Sequence, residues 1–258
     1  MIVAPFLGEF GWEVGLWVPW LRWMRSYVHQ NNIEVTVNCQ EGHEELYRDF
    51  ADKIIAVPME GSIERDCQNC WVDGIRVRRE GYGPKAIYPD DVQYFWEPGD
   101  PTAPPIPTSR SKYHQYGSGD TKEKMNLIAF HARMCETKQP ERNWPKVKWD
   151  KLAANMLKGD LRIASIGHKD QSIHVQGTED MRGVSLAELT EILSNCRTCY
   201  GPSSGPLHLA NHCGTDVVWW SANKKDVRRY GSAWNPFEMN NRQAKTGWNP
   251  TVEQVLIA

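Results

Sequence analysis

The sequence predicts an α/β protein with two Rossmann-like domains built on parallel sheets, the N-terminal one reduced in size. Three observations predict this fold class. Short apolar runs alternate with helix-like stretches in both halves of the chain, a segment rich in proline, glycine and serine divides the halves, and two loops suited to anions follow strands of the second half. At 258 residues the chain is long enough for two small domains with full cores.

Composition narrows the class of protein. The formal net charge of −2 gives no global electrostatic case for nucleic-acid binding. The chain has no basic leader followed by an apolar run, and no stretch of about twenty apolar residues, so we expect a soluble cytoplasmic protein without a transmembrane segment. Seven irregularly spaced cysteines favour reduced thiols. The pairs Cys67/Cys70 and Cys196/Cys199 have zinc-ligand spacing but fall in different predicted domains, so buried or idle thiols are favoured and no metal is expected.

The first predicted domain, residues 1–120, opens with a strand, a glycine-flanked turn and a helix. Regular alternation of strand and helix predicts a parallel sheet with right-handed crossovers, and ligands bind such sheets at the carboxyl ends of the strands. The predicted strands are residues 1–5, 33–38 and 53–57, and the predicted helices are 14–29 and 43–51.

Two carboxylates, Glu9 and Glu13, lie in the turn after the first strand. Their position suits a general base. The alternative is that they only favour the positive N-terminus of the following helix. Both interpretations remain open from sequence.

The pattern weakens between residues 59 and 96, where a basic cluster, Arg76–Arg79, is typical of a solvated face or of a surface for an anionic acceptor. Residues 97–120 are rich in proline, glycine and serine, a composition that often marks a domain boundary. We therefore expect the linker there, although a mobile active-site loop has the same composition.

The second predicted domain, residues 121–235, restarts the alternation and is followed by a tail, residues 236–258. A capping box formed by Ser185 and Glu188 predicts the start of one helix, and Asn249 with Pro250 predicts the start of the last. The predicted strands are 127–130, 162–166, 198–200 and 216–220, and the predicted helices are 148–158, 186–195 and 251–258.

Two loops of this domain suit a diphosphate. The second loop, residues 201–210, brings glycines and serines to a helix start, where backbone N–H groups can approach an anion. No G-x-G-x-x-G follows a strand and no Walker lysine motif is present, which disfavours dinucleotide enzymes and P-loop NTPases. The first loop follows strand 127–130, leads into a helix and holds three cations: Arg133, Lys138 and Arg142.

Three motifs of this half carry a resemblance to a known family. Arg142-Asn143-Trp144-Pro145 resembles Lys-x-Trp-Pro, residues 183–189 resemble Gly-x-(Thr/Ser)-Ser-Leu-x-Glu-Leu one residue short, and residues 201–210 resemble Gly-x-Asp-(Ser/Thr)-Gly-Pro-x-His-Leu-Ala. In this order and spacing, from about residue 126 to 220, they resemble family 9 of the GT-B glycosyltransferases, the group of the lipopolysaccharide heptosyltransferases. Leu7-Gly8-Glu9 is similar to the family's Leu-Gly-Asp.

The resemblance implies a donor site in the second domain. Ser203 stands where the family has aspartate, a residue close to the donor sugar, and Asp170 takes the position of an acidic residue that bonds the ribose. With the loop cations, the expected diphosphate site comprises Arg133, Lys138, Arg142, Ser203, Ser204, Gly205 and His208. The expected nucleoside site comprises Gly167, His168, Asp170, Gly183 and Leu186.

The resemblance also implies the reaction: metal-independent transfer of a sugar from a nucleotide-diphosphate sugar to an acceptor hydroxyl, with Glu9 or Glu13 as base and no cofactor beyond the sugar nucleotide. The acceptor is expected to be a glycan or a lipid core. One alternative is a compact viral enzyme of the host cytoplasm that glycosylates a hydroxymethylated DNA base, and activity retained at raised salt would argue against it. Further alternatives are a sugar-nucleotide epimerase, which needs no acceptor, and a non-catalytic binder, in which Glu9 and Glu13 variants would be silent.

Overall fold

The computed structural model divides into two compact units, Met1–His114 and Gln115–Ala258. The division falls inside the proline-rich segment 97–120. The residues that the structure describes are 2–5, 10–19, 21–22, 25, 34–57, 70–72, 75–80, 83–87, 113–117, 124–136, 139–157 and 159–258.

The first unit contains a three-stranded parallel sheet of order β1-β2-β3. The buried apolar side chains of Val35, Val37 and Cys39 place β2 in the middle of it. Helix α1 runs directly into one π-helical turn, Glu13–Trp17, instead of a regular start of the predicted helix 14–29. The elements are β1 (Ile2–Pro5), α1 (Phe10–Trp12), β2 (Val35–Gln40) and β3 (Lys53–Val57).

The predicted helix 43–51 is wrong. The segment forms a short 3-10 turn, Glu44–Leu46, and further turns. The side chains of His43 and Tyr47 are both held by Glu13, and the carboxylate of Asp52 accepts the N–H of Val35 at 2.8 Å. The backbone of this segment is closed by hydrogen bonds between residues three apart, from Leu46 N–H to His43 O and from Tyr47 N–H to Glu44 O, which is the pattern of a 3-10 turn.

A second sheet of the first unit is antiparallel, in the order β4-β5-β6. Its central strand carries the basic cluster Arg76–Arg79. The sequence analysis identifies no strand in this region, because glycines and charged residues interrupt the apolar pattern. The strands are β4 (Cys70–Val72), β5 (Ile75–Glu80) and β6 (Gly83–Ile87).

The second unit is built on a six-stranded sheet of order β12-β11-β10-β7-β8-β9, in which every neighbouring pair is parallel. Within this unit the chain forms β7 first and then adds β8 and β9 on one side of it. It then returns to the other side of β7 to form β10. The direction of winding therefore reverses between β7 and β10. The strands are β7 (Leu127–Phe130), β8 (Arg162–Ser165), β9 (Glu179–Asp180), β10 (Thr198–Pro202), β11 (Asp216–Ser221) and β12 (Asn241–Thr246).

The three helices that the sequence predicts with bounds start at the predicted residue or within two residues of it, whereas the helix Lys224–Arg228 was not predicted. The capping box of Ser185 and Glu188 is confirmed at the start of α3, and Pro145 precedes α2. The helices are α2 (Lys146–Met156), α3 (Leu186–Asn195), α4 (Gly205–His212), α5 (Lys224–Arg228) and α6 (Val252–Leu256).

Residues 236–258 supply an edge strand and a core helix to the second unit. Strand β12 pairs with β11, and α6 buries Val252 and Val255 in the core. The predicted cap at Asn249 is wrong: Thr251 caps α6 in a capping box with Gln254. Asn249 instead accepts a hydrogen bond from Lys148 Nζ at 2.6 Å, which joins the segment before α6 to α2.

The core of this unit is rich in aromatic side chains. Trp144, Trp149 and Trp220 are fully buried and contact one another with ring centroids 5.0–5.5 Å apart. Because each large ring removes much apolar surface from water, this cluster is a major source of stability. It also anchors the first anion loop, since Trp144 follows Arg142 by two residues. Among the described residues, no helix has the length and apolar composition needed to cross a membrane.

The two indoles Trp144 and Trp149 give a matched test of this core. Trp144 Nε1 donates to the carbonyl of Pro250 at 2.9 Å, whereas the buried Nε1 of Trp149 has no partner within the described residues. Trp144→Phe should therefore lower the free energy of unfolding by about 0.5–1.5 kcal/mol more than Trp149→Phe, the usual net value of one hydrogen bond. Urea unfolding of both variants measures this, and an equal or smaller loss in Trp144→Phe would contradict the packing described.

Candidate functional site

The two anion loops of the second unit meet at the point where the sheet changes its direction of winding. His131 is the first residue after β7, and its N–H donates to Tyr200 O of β10 at 2.9 Å. Its ring Nδ1 lies 2.8 Å from the hydroxyl of Ser204, the residue before α4. Open α/β sheets bind their ligands in the crevice at such a switch point. His131 was not predicted from the sequence, because a single histidine after a strand is indistinguishable there from a core histidine.

A glycine lies where the loops approach each other. A Cβ added at Gly201 would lie 2.8 Å from Leu207 Cδ1 and 3.1 Å from the carbonyl oxygen of His131. A side chain there would have to displace the end of the Leu207 side chain and shift the His131 carbonyl by a few tenths of an ångström. Gly201 thus lets the two loops approach each other closely.

The ring of His131 is neutral at physiological pH. Burial, followed by the positive charges of Arg133 and Arg142, lowers the pKa of His131 to about 3. A neutral imidazole has one donor and one acceptor nitrogen. His131 therefore orients the hydroxyl of Ser204 by a hydrogen bond, without adding a charge of its own.

Arg133 braces the first loop from inside. It is only 8% exposed, and its Nη1 donates to Asn143 Oδ1 at 2.5 Å and to the carbonyl of Gln139 at 3.2 Å. These contacts tie the beginning of the loop to its end. A direct role of Arg133 in binding a diphosphate stays a prediction.

Arg142 ends the first loop, in the 3-10 turn Pro140–Arg142. Its Nη1 donates to Gln139 Oε1 at 2.7 Å, and its guanidinium lies 5.0 Å from the ring centroid of Trp248. The buried Nε has no hydrogen-bond partner among the described residues. Gln139 adopts a left-handed backbone (φ 48°), which an L residue adopts at a cost of about 1–2 kcal/mol. Backbone strain of this kind clusters at ligand-binding sites.

The second loop places its polar groups around Tyr230. The N–H of Ser204 donates to the Tyr230 hydroxyl at 3.3 Å, and Ser203 is hydrogen-bonded to the same hydroxyl. Ser204 is expected from the sequence to contact the diphosphate, but in this structure its N–H already donates to Tyr230. Gly205 is the first helical residue of α4, so its N–H has no acceptor within the helix. The donors best placed for an anion are therefore the Ser204 hydroxyl and the Gly205 N–H.

His208 lies beneath this loop in an aromatic layer. Its ring stacks on Tyr230 at 4.5 Å and meets Trp234 edge-on at 4.7 Å, and Tyr230 stacks on Trp219 at 4.5 Å. Burial, then the charges of Arg229, His212 and Arg142, lower the pKa of His208 well below its ordinary value. Its buried Nδ1 has no partner within the described ranges.

The expected nucleoside residues gather at the carboxyl end of β8. The N–H of Gly183 donates to the carbonyl of Gly167 at 2.8 Å. A Cβ at Gly167 would lie 2.9 Å from His131 Cδ2, so this glycine leaves space for the histidine ring. Asp170 is highly exposed, and its Oδ2 lies 3.7 Å from His168 Nδ1. Leu186 is the first residue of α3 and is half-buried. Contact of these residues with a ribose or base stays a prediction.

Two of the predicted site residues, Glu9 and Lys138, lie outside the described residues. Glu13, in the first unit, is completely buried. Its Oε2 lies 2.6 Å from His43 Nδ1, and its Oε1 accepts a hydrogen bond from the Tyr47 hydroxyl at 2.5 Å. Both carboxylate oxygens therefore already have partners.

The cysteines of the second unit are buried free thiols. Burial raises the pKa of Cys196 to about 12 and that of Cys199 well above its ordinary value, so both are protonated. Cys67 lies outside the described residues. Within the part of the chain that the structure describes, no group of three or more His, Cys, Asp or Glu side chains is arranged to hold a metal ion.

Gly167→Ala tests the packing of glycine against His131. The left-handed backbone (φ 116°) and the close contact should together cost about 2–5 kcal/mol of stability, the sum of typical conformational and overpacking costs. Gly159→Ala is the matched control, since Gly159 is also left-handed (φ 64°) but a Cβ there meets nothing within 4 Å among the described residues. Thermal unfolding compares the two. Equal losses would show that His131 does not occupy the space beside Gly167.

Comparison with known proteins agrees with this architecture. The sequence profile described as glycosyltransferase family 9 (heptosyltransferase) matches residues 98–246, more than half of the chain. No curated protein matches the chain by sequence.

Solved structures of low sequence identity share the fold over nearly their whole length. A family 9 glycosyl transferase from Veillonella parvula DSM 2008 has a TM-score of 0.59 at 13% identity, covering 100% of this chain and 95% of that one. The structure of E. coli heptosyltransferase WaaC with ADP has a TM-score of 0.55 at 10% identity, covering 100% of this chain and 98% of that one. The structure of E. coli ADP-heptose lps heptosyltransferase II has a TM-score of 0.54 at 10% identity, covering 99% of this chain and 96% of that one.

The parallel sheets, the loops at the switch point and the profile match lead to one conclusion. The chain belongs to glycosyltransferase family 9, and it is a glycosyltransferase with the α/β fold of the GT-B-type enzymes.

Proposed function

We propose that this enzyme transfers a sugar from a nucleoside-diphosphate sugar to an acceptor hydroxyl, and that the diphosphate binds at the carboxyl ends of β7 and β10. The observation that carries the proposal is the contact of His131 with Ser204 at the switch point, with the positive charge of Arg142 close to both loops. An anion there meets a full positive charge, a hydroxyl and a helix N-terminus together.

The same groups act on the leaving group. As the bond from the anomeric carbon to the diphosphate oxygen breaks, negative charge grows on the diphosphate. Fixed donors that face this charge stabilise the transition state more than the ground state. Arg142 supplies the charge, and the Ser204 hydroxyl and Gly205 N–H supply hydrogen bonds. In this proposal these groups do the work that a divalent cation does in other transferases.

We propose ADP-heptose as the first donor to test, because two of the similar structures are described as a heptosyltransferase with ADP and an ADP-heptose heptosyltransferase. Asp170 is exposed at the end of β8 and is the candidate partner of the ribose hydroxyls. The proposed acceptor is a hydroxyl of a glycan or lipid core. Transfer to hydroxymethylated DNA in the same assay would assign the alternative acceptor instead.

The diphosphate assignment is tested by Arg142→Ala. Loss of a charged hydrogen-bond donor typically costs about 1.5–3 kcal/mol, so the dissociation constant of ADP should rise roughly 10- to 150-fold. Isothermal titration with ADP, GDP, UDP and their sugar conjugates measures this change and identifies the base. Arg197→Ala is the matched control, because Arg197 is an exposed arginine just before β10, at the opposite end of that strand. Unchanged affinity in Arg142→Ala, or equal losses in both variants, would contradict the assignment.

Metal independence is tested separately. Release of ADP from ADP-heptose by the wild-type enzyme should be the same after treatment with EDTA as before, because the fixed charges of Arg142 and α4 stabilise the leaving group. A loss of turnover that Mg²⁺ or Mn²⁺ restores would show that a divalent cation takes part.

A further inference from the structure

The group that removes the acceptor's proton can be located more closely in the first unit, and this inference rests on the proposed function. A general base has to come within about 2.6–3.2 Å of the oxygen that carries the proton. The Glu13 side chain is 1% exposed, whereas the His43 side chain bonded to it is 15% exposed. Of this pair, only the histidine presents surface to a substrate.

Both residues follow carboxyl ends of parallel strands. Glu13 lies in the π-helical turn that follows β1, and His43 follows β2 through a turn closed by its N–H on Gln40 O at 2.9 Å. The turn requires the left-handed backbone of Gly42 (φ 89°). The carboxyl ends of strands are where open α/β sheets bind ligands, and isolated π turns occur often at functional sites.

The hydrogen bonds fix the orientation of the His43 ring. Glu13 Oε2 lies 2.6 Å from His43 Nδ1, and the Tyr47 hydroxyl holds Glu13 Oε1 at 2.5 Å. The ring of Phe10 packs edge-on against the imidazole, with centroids 5.1 Å apart. An ionised carboxylate only accepts hydrogen bonds, so Nδ1 carries the proton and Nε2 of the neutral ring keeps its lone pair.

We propose that His43 is the catalytic base of this transferase, and that Glu13 and Tyr47 are positioning residues that orient its ring. The acceptor hydroxyl gives its proton to His43 Nε2 while its oxygen bonds to the anomeric carbon. The bond from that carbon to the diphosphate breaks, and the diphosphate leaves with the electron pair. The imidazolium is stabilised by the Glu13 carboxylate and then releases its proton to water. A buried carboxylate orients a histidine in the same way in other enzymes that use histidine as a base.

The charges around the pair define the pH dependence. Burial alone would lower the pKa of His43, but the charge and hydrogen bond of Glu13, with the charge of Glu44, raise it above its ordinary value. Tyr47 and Cys39 also face the pair. Burial, and to a lesser extent the charges of Glu13 and Glu44, raise the pKa of Cys39 to about 12. The Cys39 thiol is therefore neutral. A base acts when deprotonated, so turnover should rise with pH through the pKa of His43. Removing the Glu13 charge should move this rise to lower pH.

A histidine NMR titration of the full chain tests the pair without any donor. His43 should titrate above its ordinary value in the wild type and at lower pH in Glu13→Gln. His114→Gln serves to assign a second histidine of the same unit and should leave the His43 titration in place. An ordinary titration of His43 that Glu13→Gln does not change would overturn the pairing.

Kinetics test the catalytic role, with ADP-heptose as donor, water as acceptor and ADP release as the signal. His43→Ala should lower kcat by about two to four orders of magnitude, the usual contribution of a general base, with little change in KM. Added imidazole should restore part of the lost kcat, which a purely structural role would not allow. His114→Gln should retain wild-type kcat.

The remaining outcomes separate the two proposals. A wild-type kcat in His43→Ala would reject His43 as the base. So would a loss of kcat that imidazole does not rescue, if Glu9→Gln abolishes turnover. In either case the base would be assigned to Glu9. A wild-type enzyme that neither binds ADP nor releases it from ADP-heptose would instead reject the proposed donor, and the role of His43 with it.

Discussion

The pairing of β7 with β10 is the interaction on which the second unit depends. It joins a strand laid down early in the unit to one formed about seventy residues later, after the chain has completed the other side of the sheet. Loops that leave two such strands diverge to opposite sides, so the space above the pair is not covered by a crossover. The His131 N–H, bonded to Tyr200 O, extends the pairing one residue into this space. The hydrogen bond between the His131 ring and Ser204 therefore belongs to both the fold and the site.

The electrostatics of this region follow from burial. His131 and His208 are held neutral, so the positive charge at the switch point comes from arginines and from the N-terminus of α4. Arg133 is committed to the loop itself, whereas Arg142 is half-buried and keeps a buried Nε without a partner in the described residues. The proposed function therefore assigns the anion first to Arg142. The aromatic layer of Tyr230, Trp219 and Trp234 supports the loop from below.

The parts of the fold that sequence predicts are those with a local signal. The strands β7, β10 and β11 are short apolar runs because parallel strands are buried on both faces, and the start of α3 carries its own capping box. Strand β12 has no such signal, because an edge strand with the sequence NRQAKT pairs through its backbone alone.

The candidate residues of each unit are predicted just as unevenly. The anion loops follow from charge and glycine content close to strand ends. The candidate roles of His131 and His43 do not follow from such local signals, because they depend on contacts with residues that are distant in sequence. Ser204 is 73 residues from His131, and Glu13 is 30 residues from His43. Without the fold, His131 has the sequence context of an ordinary core residue, and His43 has that of a polar turn.

The most direct test of the account is a crystal structure of the enzyme with ADP bound. The account predicts that the diphosphate lies at the carboxyl ends of β7 and β10, with the Arg142 guanidinium and the Ser204 hydroxyl within hydrogen-bonding distance of its oxygens. A diphosphate bound elsewhere, with Arg142 still directed at Gln139 and Trp248 and the Ser204 hydroxyl free of it, would contradict the central claim.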